Sequence, residues 1–343
     1  MERIEKNREG KYLRILSGMR PTGSLHIGHL FGALQSWVDL QEKGNECFYF
    51  VADWHALTTH YNETQEIVKN SIELVKSYLA VGIDPEKSTI FIQSEIKEHA
   101  ELTLLFSMFV SVSRLERVPT YKELKQQLSE RDLSNAGFLI YPVLQAADIL
   151  IYLAEGVPVG EDQVYHIELT REIARRFNYL YEEVFPEPEP VLSKVPKLLG
   201  TDGRKMSKSY GNTISLITNE NELKKMVMPM ITDPARKRRT DPGNPEKCPV
   251  WDYHKAFGIS QEDAEWVKEG CTNAKIGCVD CKRLLLKNMK EKLEPIWNRY
   301  NSLTEDYVKD IIVEGNRKAR EVAQKTMEEV RNAMKLDYRF LKE

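Results

Sequence analysis

A chain of 343 residues with 41% hydrophobic and 29% charged content is long enough to bury a substantial core and to form two domains. Its opening residues are charged and no run approaches the roughly 20 apolar residues of a membrane-spanning helix, so a cytoplasmic protein with no membrane partner is expected. The net charge of -3 exerts no global pull on nucleic acid, and any RNA contact has to rest on local basic patches.

In chain order, apolar β-type runs alternate with longer amphipathic stretches, the pattern of a parallel sheet covered by helices. Residues 13–16, 47–52 and 89–93 read as strands. Between the first two, a helix starts near His29 and ends by Gly44, a left-handed C-cap glycine, which makes a βαβ unit. A helix over residues 64–81 precedes Gly82 and continues the β-α rhythm. The run Phe185-Pro-Glu-Pro-Glu-Pro is too stiff for a helix and reads as a surface connector. Beyond about residue 216 the β-rich runs give way to helical segments at 295–303 and 306–335. The expected division is a Rossmann-type α/β domain over residues 1–215, with a helical insertion at about 100–170, and a helical domain over 216–343.

Directly after the first strand comes Ser17-Gly-Met-Arg20-Pro21-Thr22-Gly-Ser-Leu-His26-Ile-Gly28-His29, which opens a helix. In open α/β sheets ligands sit beyond the carboxyl ends of strands, where helix N-termini offer N–H groups to phosphates. His26 and His29, three residues apart, can face one bound group and donate to developing negative charge. Two plainer readings compete: a metal site, which lacks the Glu of the H-E-x-x-H zinc motif, and simple helix capping. Far downstream, Lys205-Met206-Ser207-Lys208-Ser209 forms a loop whose two lysines can close over a triphosphate and neutralise departing pyrophosphate.

His26-Ile-Gly28-His29 resembles the HIGH signature of class I aminoacyl-tRNA synthetases, and Lys205 to Ser209 matches the KMSKS loop of the same class. The resemblance implies that Arg20, Pro21, Thr22, Gly28, His29 and the loop residues Lys205, Met206, Ser207, Lys208 and Ser209 bind Mg²⁺-ATP. His26, His29, Lys205 and Lys208 would stabilise charge on the phosphates.

Tyr141, Gln145, Asp148 and Tyr152 recur at i, i+4, i+7 and i+11 on an otherwise apolar segment and therefore share one helical face. A carboxylate there is expensive to bury without a partner, so the stripe reads either as a pocket for an apolar substrate with one donor or as an internal polar network. Indole fits such a pocket, and so does a phenol. Val157-Pro-Val-Gly160-Glu161-Asp162-Gln163, with the following residues to Asn178, is similar to the tryptophanyl-tRNA synthetase family, as is Ala52-Asp-Trp-His55-Ala. From that resemblance Asp148 accepts the indole N–H, while Tyr141, Gln163 and His55 hold the amino-acid end. Gln145 faces the substrate, and Gly160, Glu161 and Asp162 lie beside ATP. Gln145 also matches the tyrosyl relatives, which keeps a tyrosyl-tRNA synthetase as the alternative. More distant readings are a HIGH-type nucleotidyltransferase without an RNA substrate and a non-catalytic RNA-binding descendant.

Four of the five cysteines, Cys248, Cys271, Cys278 and Cys281, crowd one stretch, whereas Cys47 falls in an expected buried strand. In a chain without an export signal this points to metal before disulfides, and four thiolates suit either Zn²⁺ or a [4Fe–4S] cluster. The spacing C-x22-C-x6-C-x2-C resembles that of bacterial tryptophanyl-tRNA synthetases with a [4Fe–4S] cluster, which implies iron and sulfur, with Zn²⁺ the other occupant. The basic run at residues 236–239 and the cations Arg317, Lys318, Arg320 and Lys325 read equally as phosphate contacts and as solvated faces. The resemblance further implies L-tryptophan and tRNA(Trp) as partners, an anticodon-binding role for residues 216–343, and a homodimer.

Overall fold

The computed structural model describes residues 13–119, 135–160, 163–192, 198–207 and 210–338. Five strands, β1 (Arg14–Met19), β2 (Glu46–Val51), β3 (Ser88–Ile92), β4 (Gly156–Val159) and β5 (Glu189–Leu192), form one sheet in the order β3-β2-β1-β4-β5. Every neighbouring pair is parallel. The chain winds one way from β1 to β3 and the other way from β4 to β5, so the switch point of this Rossmann-type sheet lies between β1 and β4.

The first three strands match the expected runs. The other two were not anticipated, because each is short and contains proline. Pro190 stands in β5, at the sheet edge, where a missing N–H costs least; the connector read at 185–190 is therefore a strand from Glu189 onward.

Both sheet faces are covered, as a parallel sheet requires. Alternate residues of β2 go to opposite sides: Cys47, Tyr49 and Val51 join one apolar cluster, Phe48 and Phe50 the other. After β1 the helical run is α1 (Ile27–His29), a π-helical turn (Leu30–Leu34) and α2 (Gln35–Glu42); Gly44 follows with φ +82°, as the sequence anticipates. Helices α3 (Asp53–His60), α4 (Ile67–Val81), α5 (Glu98–Ser107), α6 (Val112–Leu115), α7 (Ala136–Ile151) and α8 (Val164–Leu180) complete the α/β part.

The C-terminal part is helical: α9 (Glu220–Val227), α10 (Pro249–Phe257), α11 (Gln261–Thr272), α12 (Cys278–Ser302) and α13 (Glu305–Ala333). Helix α12 begins at Cys278 and carries Pro295 in its interior, so the helix expected at 295–303 is only its last part. Leu216, Val250, Leu285 and Trp297 share an apolar cluster with Trp37 and Tyr49, which fuses these helices to the sheet. Helix α13 crosses edge strand β3 so closely that a Cβ at Gly315 would stand 1.7 Å from the Ile90 carbonyl oxygen. No helix among the described residues is long and apolar enough to cross a membrane.

Candidate active site

A cavity of about 550 Å³ opens at the carboxyl ends of the strands. The segment after β1 gives it Arg20, that after β2 gives His55, and the end of β4 gives Gly160. Helix α7 adds Tyr141, Gln145 and Asp148, and Gln163 and Lys205 close the wall. Eight of the residues singled out in the sequence thus meet around one space. Pro21, Thr22, His26, Gly28, His29, Met206 and Ser207 occupy the segments that run on from it rather than its wall. Glu161, Asp162, Lys208 and Ser209 lie outside the described residues.

Asp148 is 1% exposed and sits at the cavity floor. Its Oδ1 accepts from the Gln93 amide at 2.8 Å and lies 2.6 Å from His99 Nδ1. Its Oδ2 accepts from the same amide at 2.9 Å and lies 2.8 Å from His55 Nε2. Burial pushes the carboxyl up, but the bonds and charge from His55 and His99 outweigh it and hold Asp148 below the ordinary carboxylate range. An ionised carboxylate is an acceptor only, so every group facing it must donate. His99, wholly buried, therefore donates through Nδ1, and its Nε2 lies 2.8 Å from the Tyr152 hydroxyl.

The structure adds contacts that the sequence reading lacked. His55, assigned by resemblance to the amino-acid end, lines the cavity and lies 2.8 Å from Asp148 Oδ2 through Nε2. Gln93 and His99 were missed altogether. Gln93 ends an expected strand and His99 lies in a plain amphipathic run, so the only local signal was a polar residue at a strand's carboxyl end.

The HIGH-like segment caps its own helix. His26 Nδ1 accepts the Gly28 N–H and His29 Nδ1 accepts the His26 N–H, each at 3.1 Å. Each ring consequently carries its hydrogen on Nε2, leaving capping and donation as two duties of one imidazole. A Cβ at Gly28 would come within 2.9 Å of the His26 ring and 3.2 Å of the Met206 sulfur, so this glycine makes room for protein atoms where the two motifs meet. Backbone bonds from Ile27 to Ile214 and from Leu216 to Leu25 tie the motifs together.

Asn212, also missed from sequence, fixes the start of the lysine loop. Its Oδ1 accepts the Ser207 N–H at 2.8 Å, and its amide donates to the Lys205 carbonyl at 3.0 Å and to Asp202 at 2.7 Å. That bond, with the Arg204 N–H, holds the Asp202 carboxyl down to about 2.

Residues 8–294 match the family described as tRNA synthetases class I (W and Y). A tryptophan–tRNA ligase of Thermotoga maritima is 73% identical over 94% of this chain and 99% of its own length. The chain belongs to the class I tryptophan–tRNA ligases. The ligase of Aquifex aeolicus is 47% identical over 94% of this chain and all (100%) of its own. The structure of tryptophanyl-tRNA synthetase from Campylobacter jejuni, complexed with ADP and tryptophan, matches with a TM-score of 0.85 at 34% identity, covering 94% of this chain and 100% of that one.

Cys47 is buried in β2, and the other four cysteines of the enzyme form a separate locus in the helical part. Cys248 caps α10, Cys271 stands in the last turn of α11, and Cys278 and Cys281 open α12. Burial pushes Cys281 up to about 12, and the thiols of Cys248, Cys271 and Cys278 push it the same way. Among the described residues no group of three or more His, Cys, Asp or Glu side chains is spaced to hold a metal ion. Two buried cations flank the thiols. Arg236 Nη1 is 3.7 Å from Cys271 Sγ, and Lys282 donates to the Met228 and Met230 carbonyls at 2.8 and 2.6 Å. Arg236 is thus turned inward, and at this position of the basic run neither a phosphate contact nor a solvated face applies.

Proposed function

We propose that Asp148 is the group by which the enzyme selects tryptophan, in a reaction that activates L-tryptophan with Mg²⁺-ATP, releases pyrophosphate and transfers the tryptophanyl group to tRNA(Trp). The observation that carries this is a buried, ionised, acceptor-only carboxylate at the floor of the cavity. An indole is an apolar body with a single N–H donor, and a pocket built to bond that donor rejects analogues lacking it in one step.

In this reading Tyr141, Gln163 and His55 hold the amino-acid end, Gln145 faces the tryptophan, and Arg20 and Gly160 lie beside ATP. His26 and His29 offer Nε2–H donors to the phosphates. Lys205, with Lys208, stabilises the charge that develops as pyrophosphate leaves, which is where fixed donors accelerate most. ATP/pyrophosphate exchange with tryptophan and tyrosine measured side by side, followed by charging of tRNA, tests the assignment; exchange with tyrosine as efficient as with tryptophan overturns it.

The four cysteines are proposed to hold a [4Fe–4S] cluster. Their thiolates suit iron and sulfur, two of them open a helix whose N-terminus favours negative charge, and Arg236 and Lys282 supply positive charge beside them. A cubane offers four irons at separate corners, so its ligands stand farther apart than four around one zinc. Gly243 leaves space at Cys271, where a Cβ would approach Sγ to 2.6 Å. A brown anaerobic preparation with absorbance near roughly 400 nm supports the cluster, and stoichiometric zinc overturns it. Residues 216–343 are proposed to bind the anticodon, and the apolar groove of about 690 Å³ beside Trp54, Leu104 and Ile140 to meet a second copy in a homodimer. A cytoplasmic location follows from the substrates, tRNA and ATP.

A further inference from the structure

The amide that grips Asp148 is itself fixed by the far C-terminal helix. Gln93 is fully buried and belongs to the short turn Gln93–Glu95 that leaves β3. Strand β3 is an edge strand, so one side of its backbone lacks a neighbouring strand. There the N–H of Ile92, the residue preceding Gln93, donates to Asn316 Oδ1 at 2.9 Å. Asn316 is 9% exposed and follows Gly315, whose missing Cβ lets α13 lie against the strand. On the other side of Gln93, the Arg320 guanidinium donates to the Glu95 carbonyl at 2.6 Å. Asn316 and Arg320 are one helical turn apart, so one face of α13 holds both ends of residues 92–95.

We propose that Asn316 and Arg320 are positioning residues for tryptophan recognition, setting the place of Gln93 and through it the Asp148 carboxylate. The proposal rests on Asp148 being the indole acceptor. The bond from Gln93 is short and directional, and hydrogen bonds weaken steeply once the angle is lost. Release of the 92–95 turn lets the Gln93 amide swing, and the carboxylate follows. The ATP-facing motifs are held by a different set of bonds, those of Ile27 and Leu216 to their partners, so the two substrates should respond differently.

In ATP/pyrophosphate exchange, Asn316→Ala is expected to raise the KM for tryptophan about 3- to 10-fold, the worth of one neutral hydrogen bond, with the KM for ATP unchanged. Asn316→Asp keeps an oxygen for the Ile92 N–H and should restore the tryptophan KM. Arg320→Ala, at a half-buried site, should act in the same direction. In a Gln93→Ala background Asn316→Ala should add nothing further, because the link it works through is gone. Equal rises in both KM values, or full additivity with Gln93→Ala, overturn the positioning role and leave a purely structural tie. Asp148→Asn reports separately: if it leaves the tryptophan KM unchanged the pocket reading fails, whereas if it raises that KM while Asn316→Ala is inert only the role of α13 fails.

Discussion

Replacing Asp148 by asparagine keeps the shape of the side chain and removes its charge. The two carboxylate oxygens take four contacts of 2.6 to 2.9 Å from Gln93, His99 and His55. Asparagine offers one oxygen and one N–H₂, so whichever way the amide turns, a donor faces donors. Removing one partner from a buried charged network costs about 3–5 kcal/mol, and the melting temperature should fall by several degrees. For the substrate, a hydrogen bond to a charged group is worth about 1.5–3 kcal/mol, which is about a 10- to 150-fold loss in kcat/KM for tryptophan. The KM for ATP should hold. Pyrophosphate exchange at saturating ATP, with melting curves on the same samples, measures both effects. A folded variant whose kcat/KM for tryptophan stays within about twofold of the parent refutes the reasoning, since no interaction of the quoted size is then being made.

Removing the lysine at 205 or 208 by substitution with Ala should lower exchange kcat by about 100-fold or more, with tryptophan affinity by equilibrium dialysis unchanged, because their charge is needed only as pyrophosphate departs. Asn212→Ala deprives the lysine loop of three bonds and should raise the KM for ATP by about 10-fold while sparing tryptophan. The Asp148 carboxyl lies below its ordinary value of 3.8, so the stability it contributes is present above that value and is lost as pH falls through the lower folded one. The gap in melting temperature between parent and Asp148→Asn should therefore persist from neutral pH down to the ordinary carboxylate range and close only below it. Gly315→Ala forces a methyl to 1.7 Å from the Ile90 oxygen, so α13 has to move off β3 and the melting temperature should drop, with a raised tryptophan KM following from release of Asn316.

The features legible in the sequence are those whose chemistry is local. The HIGH-like and KMSKS-like segments carry their meaning within a few residues, and the stripe of Tyr141, Gln145, Asp148 and Tyr152 follows from helical period alone. Gln93, His99, Asn212 and Asn316 were not legible, because three of them act across long stretches of chain: Gln93 and His99 meet Asp148 at separations of 55 and 49 residues, and Asn316 meets Ile92 at 224. Asn212 lies close to its partners, but an Asn after Gly211 reads as an ordinary turn residue. His55 enters the pocket by resemblance, and only the fold brings its Nε2 to the Asp148 carboxylate. Strands β4 and β5 escaped because four-residue runs with proline carry almost no periodic signal.

Strand order explains why the pocket needs a brace from so far away. The HIGH-like turn follows β1 and Gly160 ends β4, so on the proposed reading the ATP side occupies the switch point, where flanking strands support it on both sides. The groups that meet Asp148 come from the ends of β2 and β3, with β3 at the edge. On the proposed reading the indole therefore lies toward the unsupported rim of the sheet, and its carboxylate end points back toward the α-phosphate at the centre. A rim strand is held from one side only, here by β2 through Val51 and Ile92, and a carboxylate that discriminates one donor must not drift. Asn316 supplies the missing acceptor to Ile92 in place of a sixth strand, so on the proposed reading the helical part of the chain is a structural component of the amino-acid site.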